Sequence, residues 1–338
     1  MSSYFDIQNR RYLGNKFKLL EFITSVVSDN CRDVSVFADL FSGTGSVASA
    51  FQSSCDIITN DILYSNYLCN FAWFGNDKFD TDKIIELIES FNAIENPSEN
   101  YMSQTFGNTY FSYDDCKKIG EIRIKIEQLK AQKSITKREY AILITSLLYA
   151  MDRIAKTCGH YDAYRKNVNF DEHLELRIPH IPTTGNSNNF CYNKDIMVVA
   201  PKIKADVVYL DPPYNSRQYS DLYHVLENVA CWEKPQTYGV ARKMKRTSLK
   251  SVFCTRQAPK AFAALVELLN ARYILLSYNN MSHKGNDRSN ARISDDDIMA
   301  ILSRKGDVKV FTLDYRAFSA GKSNIKENKE RLFLCSCQ

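Results

Sequence analysis

No apolar run in this chain of 338 residues is long enough to span a bilayer, which argues against a membrane helix. The first residues, Met1-Ser2-Ser3-Tyr4-Phe5-Asp6, lack the basic and apolar regions of a secretory signal, so the expected compartment is the cytoplasm. Ten cysteines are scattered without a C-x-x-C pair, and the five histidines have no ligand-like spacing. Reduced thiols and no metal site are therefore expected. Cys335 and Cys337, two apart in an apparent strand, share one face and read as packed. Repeats and low-complexity tracts are missing as well. The charge excess is small, with net +5, which is compatible with nucleic acid without requiring it. What is plentiful is apolar surface: 44% of residues are hydrophobic, enough for a core. The length fits one large domain, or one domain carrying an insertion.

One tetrapeptide stands out from this background. Val207-Val208-Tyr209-Leu210 reads as a buried strand, and Asp211-Pro212-Pro213-Tyr214 follows it. Two prolines, each with fixed φ and no N–H, turn the backbone sharply. In such a turn the Asp211 carboxylate and the Pro212 carbonyl can both accept hydrogen bonds from one –NH2 group. Tyr214 offers a flat face on which a base can stack. The exocyclic nitrogen of a base is a poor nucleophile, because its lone pair is delocalised into the ring. Acceptors fixed on its hydrogens favour the pyramidal, more nucleophilic form. The arrangement suits methyl transfer to that nitrogen. A strand that merely ends in a proline turn would carry the same four residues, so the neighbouring motifs decide.

Upstream, the apolar run Val34 to Phe41 leads into Ser42-Gly43-Thr44-Gly45-Ser46, a strand feeding a glycine turn and a helix starting near Ser46. Gly43 and Gly45 let backbone pass close to a ligand where a Cβ would clash. A third glycine of the dinucleotide type is absent. The next strand, Cys55 to Asn60, ends at Asp61. A carboxylate at the carboxyl end of a second strand is placed to take the two hydroxyls of a ribose; a plain turn residue is the alternative.

Arg11-Tyr12-Leu13-Gly14-Asn15-Lys16, Asp39-Leu40-Phe41-Ser42-Gly43-Thr44-Gly45 and Asp211-Pro212-Pro213-Tyr214 occur in that order. Together they resemble the adenine-specific DNA methyltransferases of the Dam-like class, in the motif order called alpha. The resemblance implies that Tyr12, Gly14 and Lys16 join a cofactor site for S-adenosylmethionine. It implies that Asp39, Phe41, Gly43 and Gly45 hold the methionine part, and that Asp61 is the ribose acid. Asp195, in Asn193-Lys194-Asp195-Ile196, sits where the family has an acidic residue for the cofactor adenine. The run Asn215 to Tyr219, with Tyr223-His224-Val225-Leu226-Glu227, is similar to a subgroup of modification methylases of the FokI and NlaIII type. The resemblance covers roughly residues 10–75 and 190–335.

The expected architecture is α/β, a Rossmann-like S-adenosylmethionine-dependent methyltransferase fold with a mostly parallel sheet. Helical spacing covers 16–28, and helices are expected around 84–88, over 113–132 and over 138–156, the last opened by a capping box at Thr136-Lys137-Arg138-Glu139. In the second of these, Lys117, Lys118, Arg123, Lys125 and Lys130 lie largely off the apolar face. Residues 179–189 read as extended chain and linker. Strands return at Val207, Tyr273–Tyr278, Val308–Phe311 and Arg331–Leu334, with a helix capped by Ser294 before the third. The last two would form an antiparallel hairpin, joined by the polar stretch from Ser319 to Glu330. A catalytic domain of 1–75 and 185–338 then carries an inserted helical subdomain of 76–184, to which the resemblance assigns target recognition.

Arg242-Lys243-Met244-Lys245-Arg246 could hold phosphates or could be a solvated loop. The segment from His283 to Arg292 could close over substrate or simply connect. Arg138, Arg153 and Lys156 read as surface charge; His160 and Tyr161 read as cap or packing residues or as part of a DNA face. The expected function is methylation of the adenine amino group in a specific duplex sequence, with the base flipped out of the stack. Asp211, Pro212 and Tyr214 carry the chemistry. Ring-carbon methylation of cytosine would need an attacking cysteine, usually in a Pro-Cys pair, and no such dipeptide occurs. The resemblance implies double-stranded DNA as partner, and a restriction endonuclease acting independently. An RNA amino-group methyltransferase and a non-catalytic DNA-binding module on the same frame are the alternatives.

Overall fold

The computed structural model describes residues 3–182, 187–279, 290–314 and 329–338. The segment 283–289 and the stretch 319–328, read above as a closing loop and a hairpin connection, lie outside the described residues. The chain divides into two compact units: 1–15, 63–184 and 220–247 form one, and 16–62, 185–219 and 248–338 form the other.

The second unit is built on a seven-stranded sheet. Its strands are β1 (Val36–Asp39), β2 (Asp56–Asn60), β3 (Phe190–Tyr192), β4 (Lys204–Leu210), β5 (Asn270–Asn279), β6 (Gly306–Asp314) and β7 (Lys329–Cys337). The spatial order is β3-β2-β1-β4-β5-β7-β6. The first five run parallel; β7 lies antiparallel between β5 and β6. The expected α/β fold with an antiparallel pair at one end is therefore present. Side chains alternate across the sheet. Ala38, Val208, Ile274 and Phe333 face a core with Phe262, Leu265 and Ile298 from the helices Ala258–Leu268 and Asp295–Leu302. Phe37, one residue along, stacks at 4.0 Å on Phe51 of the helix Ser46–Phe51. Central strands are thus buried on both faces, which is why they read as near-continuous apolar runs. Ser294 caps its helix as expected, accepting a hydrogen bond from the Asp297 N–H at 3.1 Å.

β3 has no expected counterpart in the sequence and follows directly on the expected linker of 179–189. It is only three residues long, and its register is fixed from the flank: the buried Asn189 Oδ1 accepts from the Ile57 N–H at 2.7 Å.

The first unit is helical. Its spine is the helix Lys137–Ile154, buried from Arg138 through Asp152. Thr136 and Glu139 form the expected capping box. Against the spine pack Tyr64–Phe74, Tyr113–Ala131 and His224–Cys231. Two short strands, Tyr4–Phe5 and Ile178–Pro179, pair in parallel.

Two residues correct the expected surface. Arg138 is buried and donates to the carbonyls of Ala72, Trp73 and Asp77, satisfying the open end of Tyr64–Phe74. Arg123 is fully buried and donates to Val229 O, Ala230 O and Tyr140 Oη. The basic face of that helix is also largely neutralised. Lys117, Lys125 and Lys130 pair with Asp114, Glu121 and Glu127 one turn away. Tyr161 is a packing residue: it is fully buried, and its carbonyl accepts from Tyr110 Oη at 2.7 Å. No helix of the described residues is long and apolar enough to cross a membrane.

Candidate active site

The carboxyl ends of the parallel strands share one edge of the sheet, and the expected acids gather there. β1 ends in Asp39, Asp61 follows β2, and Asp211 follows β4. β1 has β2 on one side and β4 on the other, so the crevice for a ligand opens between β1 and β4.

The turn after β1 is shaped by two glycines, Gly43 at φ 51° and Gly45 at φ 82°, a region residues with a Cβ rarely adopt. Side chains clamp this turn to the end of β2. Asp61 Oδ2 accepts from the Gly43 N–H at 2.9 Å, and the Ser42 N–H and Oγ both donate to Asn60 O at 3.1 Å. Phe41 packs edge-on against Phe253 at 5.2 Å. Asp39 is only 1% exposed. Its Oδ1 has no hydrogen-bond partner among the described residues. Burial, with the Asp211 and Asp61 carboxylates nearby, pushes its carboxyl well above the ordinary range; N–H groups of Ala48 and Phe41 oppose the rise.

Asp211, Tyr214 and Lys16 form one network. Tyr214 Oη donates to Asp211 Oδ1 at 2.7 Å. Lys16 Nζ donates to Tyr214 Oη at 2.8 Å and lies 3.1 Å from Asp211 Oδ2. The Lys16 side chain is 6% exposed, so this ion pair is sheltered from water. Lys16 Nζ also lies 4.9 Å from the Tyr214 ring centroid. Pro212 is buried behind the turn. The Tyr214 backbone is held as firmly as its hydroxyl, since its carbonyl accepts from the Arg292 N–H at 2.7 Å and from Tyr278 Oη at 3.2 Å.

Asp195 lies at the far side of the same edge, beyond β3. It caps the short helix Ile196–Val199 through Oδ1 and the Met197 N–H at 2.8 Å. Asn193 Nδ2 donates to Asp61 O and Ile62 O, fixing the chain that carries both acids. Tyr12 and Gly14 belong to the first unit. There the Tyr12 ring stacks on Tyr223 at 4.5 Å, its hydroxyl accepts from Asn66 Nδ2 at 3.1 Å, and Gly14 has φ 81°.

Three neighbours of the Asp211–Tyr214 pair do not stand out in the sequence. Ser277 Oγ lies 3.1 Å from Tyr214 Oη, and the Tyr278 ring lies 4.6 Å from the Tyr214 ring. Register explains both: Leu210, the last residue of β4, pairs with Leu276, so Asp211 leaves the sheet beside Ser277 while β5 continues to Asn279. Polar Ser277 at the carboxyl end of an apolar strand is the signal that could have found them. Glu330, at the start of β7, is the third. Burial raises its carboxyl above the ordinary range, Asp211 adds to the rise, and Lys16 opposes it.

Within the subgroup motif, Tyr223, His224 and Glu227 make contacts inside the first unit. Glu227 Oε1 and Oε2 accept from the N–H groups of Tyr64 and Ser65, each at 2.9 Å, at the start of Tyr64–Phe74. Tyr223 Oη accepts from the Leu13 N–H at 2.6 Å. His224 is fully buried, with Nε2 2.9 Å from Tyr161 O, and burial lowers its pKa to about 4.

Comparison with known proteins agrees with this arrangement. The modification methylase StsI of Streptococcus sanguinis is 34% identical over 95% of this chain and 50% of its own length. The type II methyltransferase M.FokI of Planomicrobium okeanokoites is 31% identical over 96% and 52%. The chain spans about half the length of both relatives. The type II methyltransferase M.NlaIII of Neisseria lactamica, 30% identical over 94% of this chain, is matched over 95% of its length. The family model of D12 class N6 adenine-specific DNA methyltransferases matches residues 12–285, a span that takes in the Lys16 segment, the glycine turn and the Asp211 turn. By that match, which covers well over half of its residues, the chain belongs to the D12 class of N6 adenine-specific DNA methyltransferases.

Proposed function

We propose that this protein transfers a methyl group from S-adenosylmethionine to the exocyclic amino nitrogen of adenine in a specific duplex DNA sequence. The observation that carries the reading is at Asp211. Its carboxylate, at the end of β4, already holds a nitrogen donor, Lys16 Nζ, at 3.1 Å. An amine is the kind of group this acceptor is built to take.

The residues at the sheet edge fit the cofactor. Asp39 Oδ1 is a buried acceptor without a partner among the described residues, suited to an ammonium group. Gly43 and Gly45 present backbone with no Cβ. Asp61 and Asp195 lie at the ends of the neighbouring strands, where a ribose and a base would follow. In this reading Asp39, Phe41, Gly43 and Gly45 hold the methionine part, with Tyr12, Gly14 and Lys16 contributing from the amino-terminal segment. When bound, the cofactor supplies an electrophilic methyl group on a sulfonium.

The chain's own task is orientation. Asp211 and the Pro212 carbonyl accept the two hydrogens of the target amine and turn its lone pair outward. Tyr214 stacks on the extruded base, and its own position is fixed at both ends by the hydrogen bonds above. Its hydroxyl and Lys16 hold the Asp211 carboxylate in one orientation. The likeness to StsI, M.FokI and M.NlaIII, a modification methylase and two type II methyltransferases, supports a role as the modification part of a restriction-modification system. In this reading the protein works in the cytoplasm, beside an endonuclease that acts independently. Target choice is assigned to 76–184.

The test is transfer of labelled methyl from S-adenosylmethionine to unmethylated duplex DNA, with RNA and no-acid controls, followed by nucleoside analysis. N6-methyladenine from DNA alone is expected, and is expected to be lost in Asp211→Ala. Label in RNA, or none in any acid, would sink the reading.

A further inference from the structure

In the first unit, residues 238–243 form a tight hairpin. Tyr238 and Lys243 exchange both backbone hydrogen bonds, at 2.8 and 2.9 Å, and the Arg242 N–H donates to Gly239 O at 3.1 Å. Gly239 and Arg242 take the left-handed conformation that closes it, at φ 70° and 51°. The hairpin is tied to the interior at its loop and on both flanks. Fully buried Tyr110 donates through Oη to Ala241 O at 2.9 Å, Tyr101 Oη donates to Pro235 O at 2.8 Å, and Met244 is buried. Lys243 pairs with Asp162 and Arg246 with Asp221.

Other side chains of the hairpin face outward. Val240 is 70% exposed, the highest figure among the large exposed hydrophobic residues of the described chain. Tyr238 beside it is 56% exposed. Arg242 and Lys245 are exposed and make no ion pair among the described residues. No Asp or Glu occurs from Lys234 to Val266. Of the four cations in the stretch read as a phosphate holder or a solvated loop, two are thus spent on fixing the hairpin and two are exposed. A rigid basic hairpin with an apolar apex has the features of an element that enters a DNA groove: cations for phosphates and a wedge for a base step.

We infer that this hairpin is a DNA-inserting element, with Arg242 and Lys245 on phosphates of the duplex and Val240 prying at the stack. The inference rests on the DNA reading above. Two variants of the full chain test it. Arg242→Glu with Lys245→Glu should weaken binding to a short mixed-sequence duplex by about tenfold or more. It should also lower the salt slope of the logarithm of affinity by about 2, one for each phosphate no longer neutralised. Val240→Asp should slow methylation of a fully paired target by about tenfold, and a mismatch opposite the target adenine should restore most of the rate, since an unstacked base needs no wedge. All three positions are exposed, so melting temperature and cofactor binding without DNA should stay at the wild-type level.

If the wild type methylates duplex and both variants match it in affinity, salt slope and rate, the hairpin inference fails while the enzymatic reading stands. If the wild type binds no duplex, both fail together. Loss of binding to an endonuclease with DNA binding unchanged would make the tip a protein-binding surface, and the inference would be wrong.

Discussion

At the scale of single residues, Asp39 is the sharpest case. A carboxyl whose pKa is raised by folding contributes its full stability below the ordinary carboxylate value, and loses it as pH rises toward the folded value. Above the ordinary carboxylate value the folded protein therefore bears the cost of burying this carboxyl beside Asp211 and Asp61, whether as charge or as retained proton. Asp39→Asn should raise the melting temperature of the ligand-free protein, by about 2–4 °C per kcal/mol relieved, and remove the shift on adding S-adenosylmethionine. Scanning calorimetry with and without cofactor checks both; a destabilised Asn variant would mean the carboxylate is stabilised by donors such as bound water. Tyr214 gives a second prediction. Tyr214→Ala loses ring and hydroxyl and should be severely impaired. Tyr214→Phe keeps the ring but frees Asp211 Oδ1, and a hydrogen bond to a charged group is worth about 1.5–3 kcal/mol. A loss of roughly tenfold in kcat with KM for DNA little changed is expected; a Phe variant equal to wild type would confine Tyr214 to stacking.

At the scale of elements, the sequence was most legible where one strand or one turn carries its own signal. The runs before Asp39, Asp61 and Asp211 are apolar because both sheet faces are covered, and Gly43 and Gly45 mark a turn that needs positive φ. It was least legible where an element has no face to solvent. Tyr64–Phe74 buries Ser65, Asn66 and Asn70 together with Leu68 and Trp73, so no polar side is left to give a helical period. Arg123 and Arg138 look like surface charge in any window, because their partners are backbone carbonyls far along the chain. Ser277 and Tyr278 enter the candidate site only through the register of β4 on β5. Glu227 was visible as part of a motif, but its task was not. Its two oxygens accept the first N–H groups of a helix, at the positive end of the helix dipole. Glu227→Ala should lower stability by about 2–4 kcal/mol in urea unfolding, from two charged hydrogen bonds left unmade. Glu227→Gln should recover part of this; an Ala variant as stable as wild type would mean water replaces the carboxylate.

At the scale of the whole molecule, two linkages should be measurable. His224 is buried and neutral, with its pKa lowered to about 4. Its stability contribution is complete above the unfolded value near 6.5, and is lost as pH falls toward 4, because the unfolded chain takes up the proton first. The full loss is about 3 kcal/mol. Unfolding free energy of His224→Phe should fall less steeply than that of the wild type between pH 6.5 and 4; parallel curves would place the acid sensitivity elsewhere. The second linkage is to ligand. At a hundred times its Kd, S-adenosylmethionine should stabilise the protein by about 2.7 kcal/mol if it binds the native state alone. Asp61→Ala should reduce that gain, and an unchanged gain would release Asp61 from the ribose and leave it the clamp on Gly43.

The position of β7 also has a consequence during synthesis. The strand made last of the seven is not at the margin of the sheet; it is threaded between β5 and β6 and pairs with both. Until residue 337 has left the ribosome, β5 presents an open edge and β6 has no neighbour to join. Tyr214 is braced by Ser277 and Tyr278 of β5, so the Asp211 turn should not be set until that edge is closed. Ribosome-bound fragments ending before 329 should be held by chaperones and inert toward DNA, and competence should arrive with the final strand.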